Sequence, residues 1–155
     1  MDLLTSCYLF KNMPSSQIDE LAGMARERSI EKEAWLFHEG EAAERLFFLV
    51  SGSIELLTTI DNRIELPITR LNASGDCFGT GSLVEPFQYS LSARCVETAE
   101  LLTIRRVDVS AMEEKKYNFK GVLMKNLAAH YLSRLKETRQ ELKIHFKILF
   151  KAMRI

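Results

Sequence analysis

The chain has no apolar run approaching the 18 or so residues that a membrane span needs. It opens on Met1-Asp2-Leu3-Leu4, without the basic patch and cleavage site of a secretory signal. These absences set the expectation of a soluble, cytoplasmic protein with no membrane partner. Cysteine is scarce: Cys7, Cys77 and Cys95 are three, far apart, with no Cys-x-x-Cys pair. A zinc knuckle or an iron–sulfur cluster held within one chain is thereby excluded, and reduced, buried or idle thiols are expected. Histidine is as scarce, with His38, His130 and His145 as the three, and no two have the spacing of metal ligands. Net charge is absent too, since 21 Lys and Arg balance 21 Asp and Glu. The balance hides an asymmetry: residues 1–114 hold 10 basic against 19 acidic side chains, and residues 115–155 hold 11 against 2. The basic tail suits a nucleic acid or an acidic partner, or is the solvated face of a helix; both readings stay open.

What is present fits one domain. A chain of 155 residues, 46% of them apolar, buries roughly 70% of the surface exposed when unfolded. Pro14 followed by Ser15-Ser16-Gln17-Ile18-Asp19-Glu20 is a helix start with a serine cap and early acids. Ile18, Leu21, Ala22 and Ala25 recur at helical spacing, which predicts a short amphipathic helix over 15–27. From Ser29 the texture changes to β-prone stretches at 29–32, 35–38, 45–50, 53–60, 63–71 and 89–105. Gly40 and Gly52 are placed as turn glycines needing a positive φ, and Asp61-Asn62 as a tight hairpin. Many short strands joined by tight turns predict a sandwich, barrel or roll.

Beyond Arg106 the period returns to helical, with Asp108 and Ser110 as alternative N-caps. A last helix is predicted from about Asn118. On it Met124, Ala128, Tyr131, Leu135, Thr138, Leu142, His145, Leu149 and Ala152 follow the 4-3-4-3 spacing of a heptad seam. Leu123, Leu127, Leu132, Phe146 and Phe150 widen the stripe, so one flank can pack on the β body while the seam meets a second copy. Thr138 and His145 are imperfect seam residues: tolerated faults, or positions that set register or touch a ligand.

The densest cluster of small and polar residues is Gly75-Asp76-Cys77-Phe78-Gly79-Thr80-Gly81-Ser82-Leu83. Two glycines one residue apart can expose successive backbone N–H groups, and such a nest attracts an anion; a plain glycine turn is the other reading. Context strengthens the first. Leu9-Phe10 through Met13-Pro14-Ser15 is followed by Leu36-Phe37-His38-Glu39-Gly40, Leu46-Phe47-Phe48-Leu49-Val50-Ser51-Gly52 and then Gly75-Asp76-Cys77-Phe78-Gly79. In that order the chain resembles, over almost its whole length, the cyclic nucleotide-binding domains of the catabolite-activator (CRP/FNR-like) transcription regulators. The resemblance implies an α+β, mainly β, fold class. Residues 1–114 would form an antiparallel β-roll or jelly roll with a short N-terminal helix. Residues 115–155 would form a long dimerisation helix within the same domain.

Members of that family hold the cyclic phosphate on backbone N–H groups of a short cassette helix. A glutamate holds the ribose hydroxyl, and an arginine, followed by a serine or threonine, pairs the phosphate charge. The resemblance puts Gly79, Thr80, Gly81, Ser82 and Leu83 at the backbone positions, with Phe78 leading into them. It puts Ser90 at the hydroxyl position, between Tyr89 and Leu91, and Ile68 and Thr69 on the strand beside the base. Arg134 and Thr138 match helix positions that reach the base; a solvated helix arginine is the other reading of Arg134. Two positions depart from the pattern: Thr80 stands at the glutamate and Tyr89 at the arginine. A phosphate without its arginine loses a charge-assisted contact of about 1.5–3 kcal/mol, a roughly 10–150-fold weakening. Arg94 is five strand residues from Tyr89 and so faces the other way. The expected ligand is a small-molecule effector, a cyclic nucleotide (cAMP or cGMP) bound weakly, or a less charged molecule on which Tyr89 stacks; the other reading is that Tyr89 fills the pocket.

Other readings remain. The chain could be a genuine cAMP- or cGMP-binding domain from a longer regulator, since the family continues past this helix into a helix-turn-helix. None is legible before Ile155, so direct DNA binding by these residues is not expected. A haem or redox sensor would use His38, His130 or Cys77, but no attachment motif is present. A cupin-like enzyme would need two close histidines, a third and a carboxylate, and Ser82 and Ser90 have no histidine near them in sequence. The chain is read as a sensor, not an enzyme.

Overall fold

The computed structural model describes residues 2–154. Helices α1 (Asp2–Thr5) and α2 (Ser15–Met24) flank a 3₁₀ turn at Tyr8–Phe10. Six strands follow: β1 (Arg26–Ile30), β2 (Trp35–Phe37), β3 (Arg45–Ile60), β4 (Ile64–Leu71), β5 (Cys77–Phe78) and β6 (Ser92–Arg105). A second 3₁₀ turn, Thr80–Leu83, lies between β5 and β6, and α3 (Arg106–Lys115) and α4 (Phe119–Ala152) close the chain. All strands pair antiparallel in one sheet of order β1-β6-β3-β4, with β2 added on β6 and β5 on β3. This is the expected mainly-β roll with a long C-terminal helix.

The run Leu46-Phe47-Phe48-Leu49 explains the layering. Side chains alternate across a strand, yet all four are buried, so β3 is covered on both faces. Leu46 and Phe48 enter a core shared with Leu9, Leu21, Ile104, Phe119 and Leu123, between sheet and helices. Phe47 and Leu49 enter a second core inside the roll, with Phe37, Ile54, Phe78, Tyr89 and Leu101.

Where the expected strands differ, packing overrides local pattern. The stretches 45–50 and 53–60 are one strand, because Gly52 (φ +95°) is a bulge and not a turn. A Cβ there would stand 2.4 Å from the Thr98 carbonyl oxygen, so the strand bends against its neighbour and curls the sheet. Strand β1 begins at Arg26, ahead of the expected 29–32, because four of its five side chains are exposed and carry no hydrophobic signal. Strand β6 begins at Ser92 and not at position 89; Gln88 makes only an isolated bridge to Ala42. Helix α2 ends at Met24, short of 27. Neither Asp108 nor Ser110 caps α3: the helix starts at Arg106, and Asp108 instead accepts from the Arg105 guanidinium at 3.0 Å.

Asn118 takes a left-handed conformation and turns the chain into α4, whose 34 residues extend about 50 Å at 1.5 Å per residue. Only Phe119, Leu123 and Leu127 of α4 are buried. Tyr131, Leu135, Leu142 and Leu149 are about half exposed, and beyond Thr138, the last helix residue on the cavity, the helix overhangs the roll.

Two glycine substitutions test this account. Gly52→Ala is expected to cost about 2–4 kcal/mol, from positive-φ strain and the strand contact. Gly23→Ala in α2, where a Cβ meets nothing within 4 Å, should be neutral or stabilise by up to about 1 kcal/mol. Urea unfolding of both variants measures the contrast.

Candidate functional site

Strand β5 pairs with β3 through Phe78 opposite Phe47 and Cys77 opposite Phe48. It therefore delivers the glycine-rich segment to the open edge of the roll. Gly79 is left-handed (φ 78°), and a Cβ there would meet the Arg45 carbonyl and the Phe47 ring at 3.0 Å. A Cβ on Gly81 would stand 2.1 Å from the Gln88 carbonyl oxygen. Both glycines are thus required by close approach. The Ser82 hydroxyl donates to the Gly79 carbonyl at 2.8 Å, closing the 3₁₀ turn. The first N–H groups of such a turn have no partner within it, and Thr80 and Gly81 hold those positions.

The turn forms one wall of a cavity of about 530 Å³. Of the residues expected at the site, Ile68, Thr69, Phe78, Gly79, Thr80, Gly81, Tyr89, Ser90, Leu91, Arg134 and Thr138 all line it. Ser82 and Leu83 do not. Ser82 is spent on the turn, its N–H donating to the Gly79 carbonyl, and Leu83 sits in the core beneath the helices.

Two contacts tie the walls to α4. The Thr80 and Tyr131 hydroxyls share a hydrogen bond. On the opposite wall Arg134 donates to the Thr69 hydroxyl at 2.7 Å and to Glu137 at 2.8 Å. Tyr89 does not stand free in the cavity. Its ring stacks on Phe37 with centroids 3.7 Å apart, and its hydroxyl accepts from the Arg45 N–H and donates to the Arg45 carbonyl. Arg94 faces away, ion-paired with Glu65 at 2.7 Å and Glu55 at 3.0 Å on the outer surface. The cationic side-chain types on the lining are Arg134 and His130, and burial, then the charge of Arg134, lowers the pKa of His130.

Sequence reasoning missed Tyr8 and the pocket-facing roles of His130 and Tyr131; His130 stood out only as a candidate haem ligand. Tyr8 and His130 stack at 4.0 Å between the first 3₁₀ turn and α4, and line the same cavity. They lie 122 positions apart, so no local pattern joins them. Tyr131 was legible as one helical turn ahead of Arg134, but its place in the heptad seam hid this second role. Among the described residues, no group of three or more His, Cys, Asp or Glu side chains is arranged to hold a metal ion. None of the helices is long and apolar enough to cross a membrane.

A β-roll, a glycine turn and a long helix thus enclose one mainly apolar cavity with a few polar side chains on its wall, the architecture of a regulatory binding domain. Residues 27–116 match the family described as cyclic nucleotide-binding domain, and the chain belongs to that family. It is 28% identical over 134 residues to the cyclic AMP receptor protein of Thermus thermophilus, a match covering 86% of this chain and 60% of that protein. It is 31% identical over 139 residues to the anaerobic regulatory protein of Bacillus subtilis, covering 86% of this chain and 56% of that one. The crystal structure of the Thermus thermophilus catabolite activator protein superposes with a TM-score of 0.73 at 27% identity, over 88% of this chain and 62% of that chain. Its homologues thus include CRP/FNR-like regulators, and the chain spans little more than half the length of these two relatives.

His130 gives the site a pH signature. Its folded pKa lies below the 6.5 of the free side chain, so the unfolded chain takes up the proton first. The stability that neutral His130 contributes is complete above about pH 6.5 and is lost as the pH falls from there toward the folded value. His130→Gln is expected to show a shallower fall of Tm than wild type between about pH 7 and 5. Parallel Tm curves would contradict the assignment.

Proposed function

We propose that the chain is a sensing module, not a catalyst, whose cavity takes a cyclic nucleotide or a related, less charged effector with reduced affinity. It acts in the cytoplasm as a homodimer through α4, and the movement of that helix carries the signal. The observation that carries this reading is the pair of hydrogen bonds from opposite walls of one cavity to one helix: Thr80 to Tyr131 and Thr69 to Arg134. A ligand seated between the walls competes for Thr80, Thr69 and Arg134 and so changes how α4 is held. At about 1 kcal/mol net for each contact, the two together bias the packing by roughly 30-fold, enough for a population shift. The half-exposed stripe beyond Leu127 is a surface on which a second copy can read the shift.

Reduced affinity follows from the lining. Tyr89 occupies the expected arginine position with its hydroxyl already satisfied by Arg45, and Thr80 offers a hydroxyl where a carboxylate would hold the ribose. A second reading, a fully competent cAMP or cGMP site, is favoured by the relative that carries the name cyclic AMP receptor protein.

A thermal-shift and calorimetric panel of cyclic mono- and dinucleotides separates these readings. With the double variant Thr80→Glu plus Tyr89→Arg, checked for a retained fold, cAMP or cGMP is expected to bind at least tenfold more tightly than to wild type. Sub-micromolar wild-type binding would favour the second reading instead. Sedimentation tests the partner: wild type is expected to be a dimer and Leu135→Glu plus Leu142→Glu a folded monomer. A monomeric wild type overturns the dimer.

A further inference from the structure

Two of the three cysteines meet at the cavity wall. Cys7 lies between α1 and the first 3₁₀ turn, and Cys77 opens β5, two residues ahead of Gly79. Both line the cavity and pack into the same core. The segments carrying them touch, since a Cβ on Gly75 would stand 2.3 Å from the Ser6 hydroxyl. The two thiols are near enough to shift each other's ionisation, and Tyr8 acts on Cys77 in the same way. Cys95 lies apart, in the core inside the roll, donating to the Glu97 carbonyl at 2.9 Å.

We propose that Cys7 and Cys77 form a reversible dithiol–disulfide pair, oxidised by a hydroperoxide that enters through the cavity. The chemistry closes without a metal. The Cys7 thiolate attacks the peroxide, forming an S–O bond while the O–O bond breaks; the departing hydroxide (or alkoxide) takes the thiol's proton. The Cys77 sulfur then attacks the resulting sulfenic acid: the S–S bond forms, the S–O bond breaks, and water leaves with the Cys77 proton. Two thiols lose two electrons and one peroxide gains them. Cys7 is suited to the first step because the neighbouring Cys77 lowers its pKa, while the same pairing raises that of Cys77.

The bond would link the N-terminal segment to the strand that delivers the glycine turn. Tyr8, next to Cys7, stacks on His130 of α4. Oxidation therefore fixes the glycine-turn wall relative to the helix, giving the cavity a redox input independent of any nucleotide.

The test uses the full chain and peptide mapping. Trypsin sites at Lys11, Arg70, Arg94 and Arg105 place Cys7, Cys77 and Cys95 in three separate peptides, 1–11, 71–94 and 95–105. After treatment with stoichiometric hydrogen peroxide, quenching and non-reducing digestion, the expected product joins 1–11 to 71–94 and is released by dithiothreitol. Cys95→Ser should give the same product, and Cys7→Ser and Cys77→Ser none. Recovery of Cys7 and Cys77 as free thiols from folded, oxidised wild type overturns the proposal, as does a link formed only between chains. The readout involves no nucleotide, so failure here leaves the ligand reading untouched, and failure of that reading leaves this one standing.

Discussion

Strand β3 must be buried on both sides at once, and most of the molecule follows from meeting that demand. A four-residue apolar run cannot satisfy one sheet face, because successive side chains point opposite ways. Helices cover Leu46 and Phe48 while the curled sheet covers Phe47 and Leu49. Truncating a buried phenylalanine of this kind costs about 3–5 kcal/mol, a large fraction of the stability of an ordinary domain. The same strand pairs with β4, β5 and β6. The glycine turn is therefore anchored by the most constrained part of the chain, and Gly79 rests directly on the Phe47 ring.

The cavity wall is heterogeneous. Its floor is aromatic and fixed, with Tyr89 stacked on Phe37 and tied to the Arg45 backbone. Its helix side is polar, and its contacts through Tyr131 and Arg134 are made by single side chains that can exchange partners. Arg94, the cation nearest in sequence to Tyr89, is committed to Glu55 and Glu65 outside. The lining of the proposed ligand cavity thus offers a different set of contacts from those the family pattern implies.

Much of this was legible in the residues. The heptad stripe located α4 and its overhang, and the family resemblance carried by the ordered glycine motifs located the roll and eleven cavity-lining positions. What escaped notice did so for physical reasons. Strand β1 is polar because it lies at an edge with one buried residue, Ile30. Gly52 reads as a turn in sequence, since positive φ is common to turns and bulges; only the neighbouring strand distinguishes them. Tyr8 and His130 meet through tertiary packing alone. Tyr89 read as a departure from an expected contact, and its role as a core residue needed Phe37 and Arg45 to be seen beside it.

The two glycines of the turn are held by shape, against the carbonyls of Arg45 and Gln88, whereas Thr80 between them faces the cavity and Tyr131. Backbone form and side-chain chemistry are thus assigned to different residues. In the proposed site, such a division lets the side chains facing the cavity change without disturbing the loop that presents them. Thr80 and the helix side chains can therefore be altered one at a time, with Gly79 and Gly81 keeping the turn in shape.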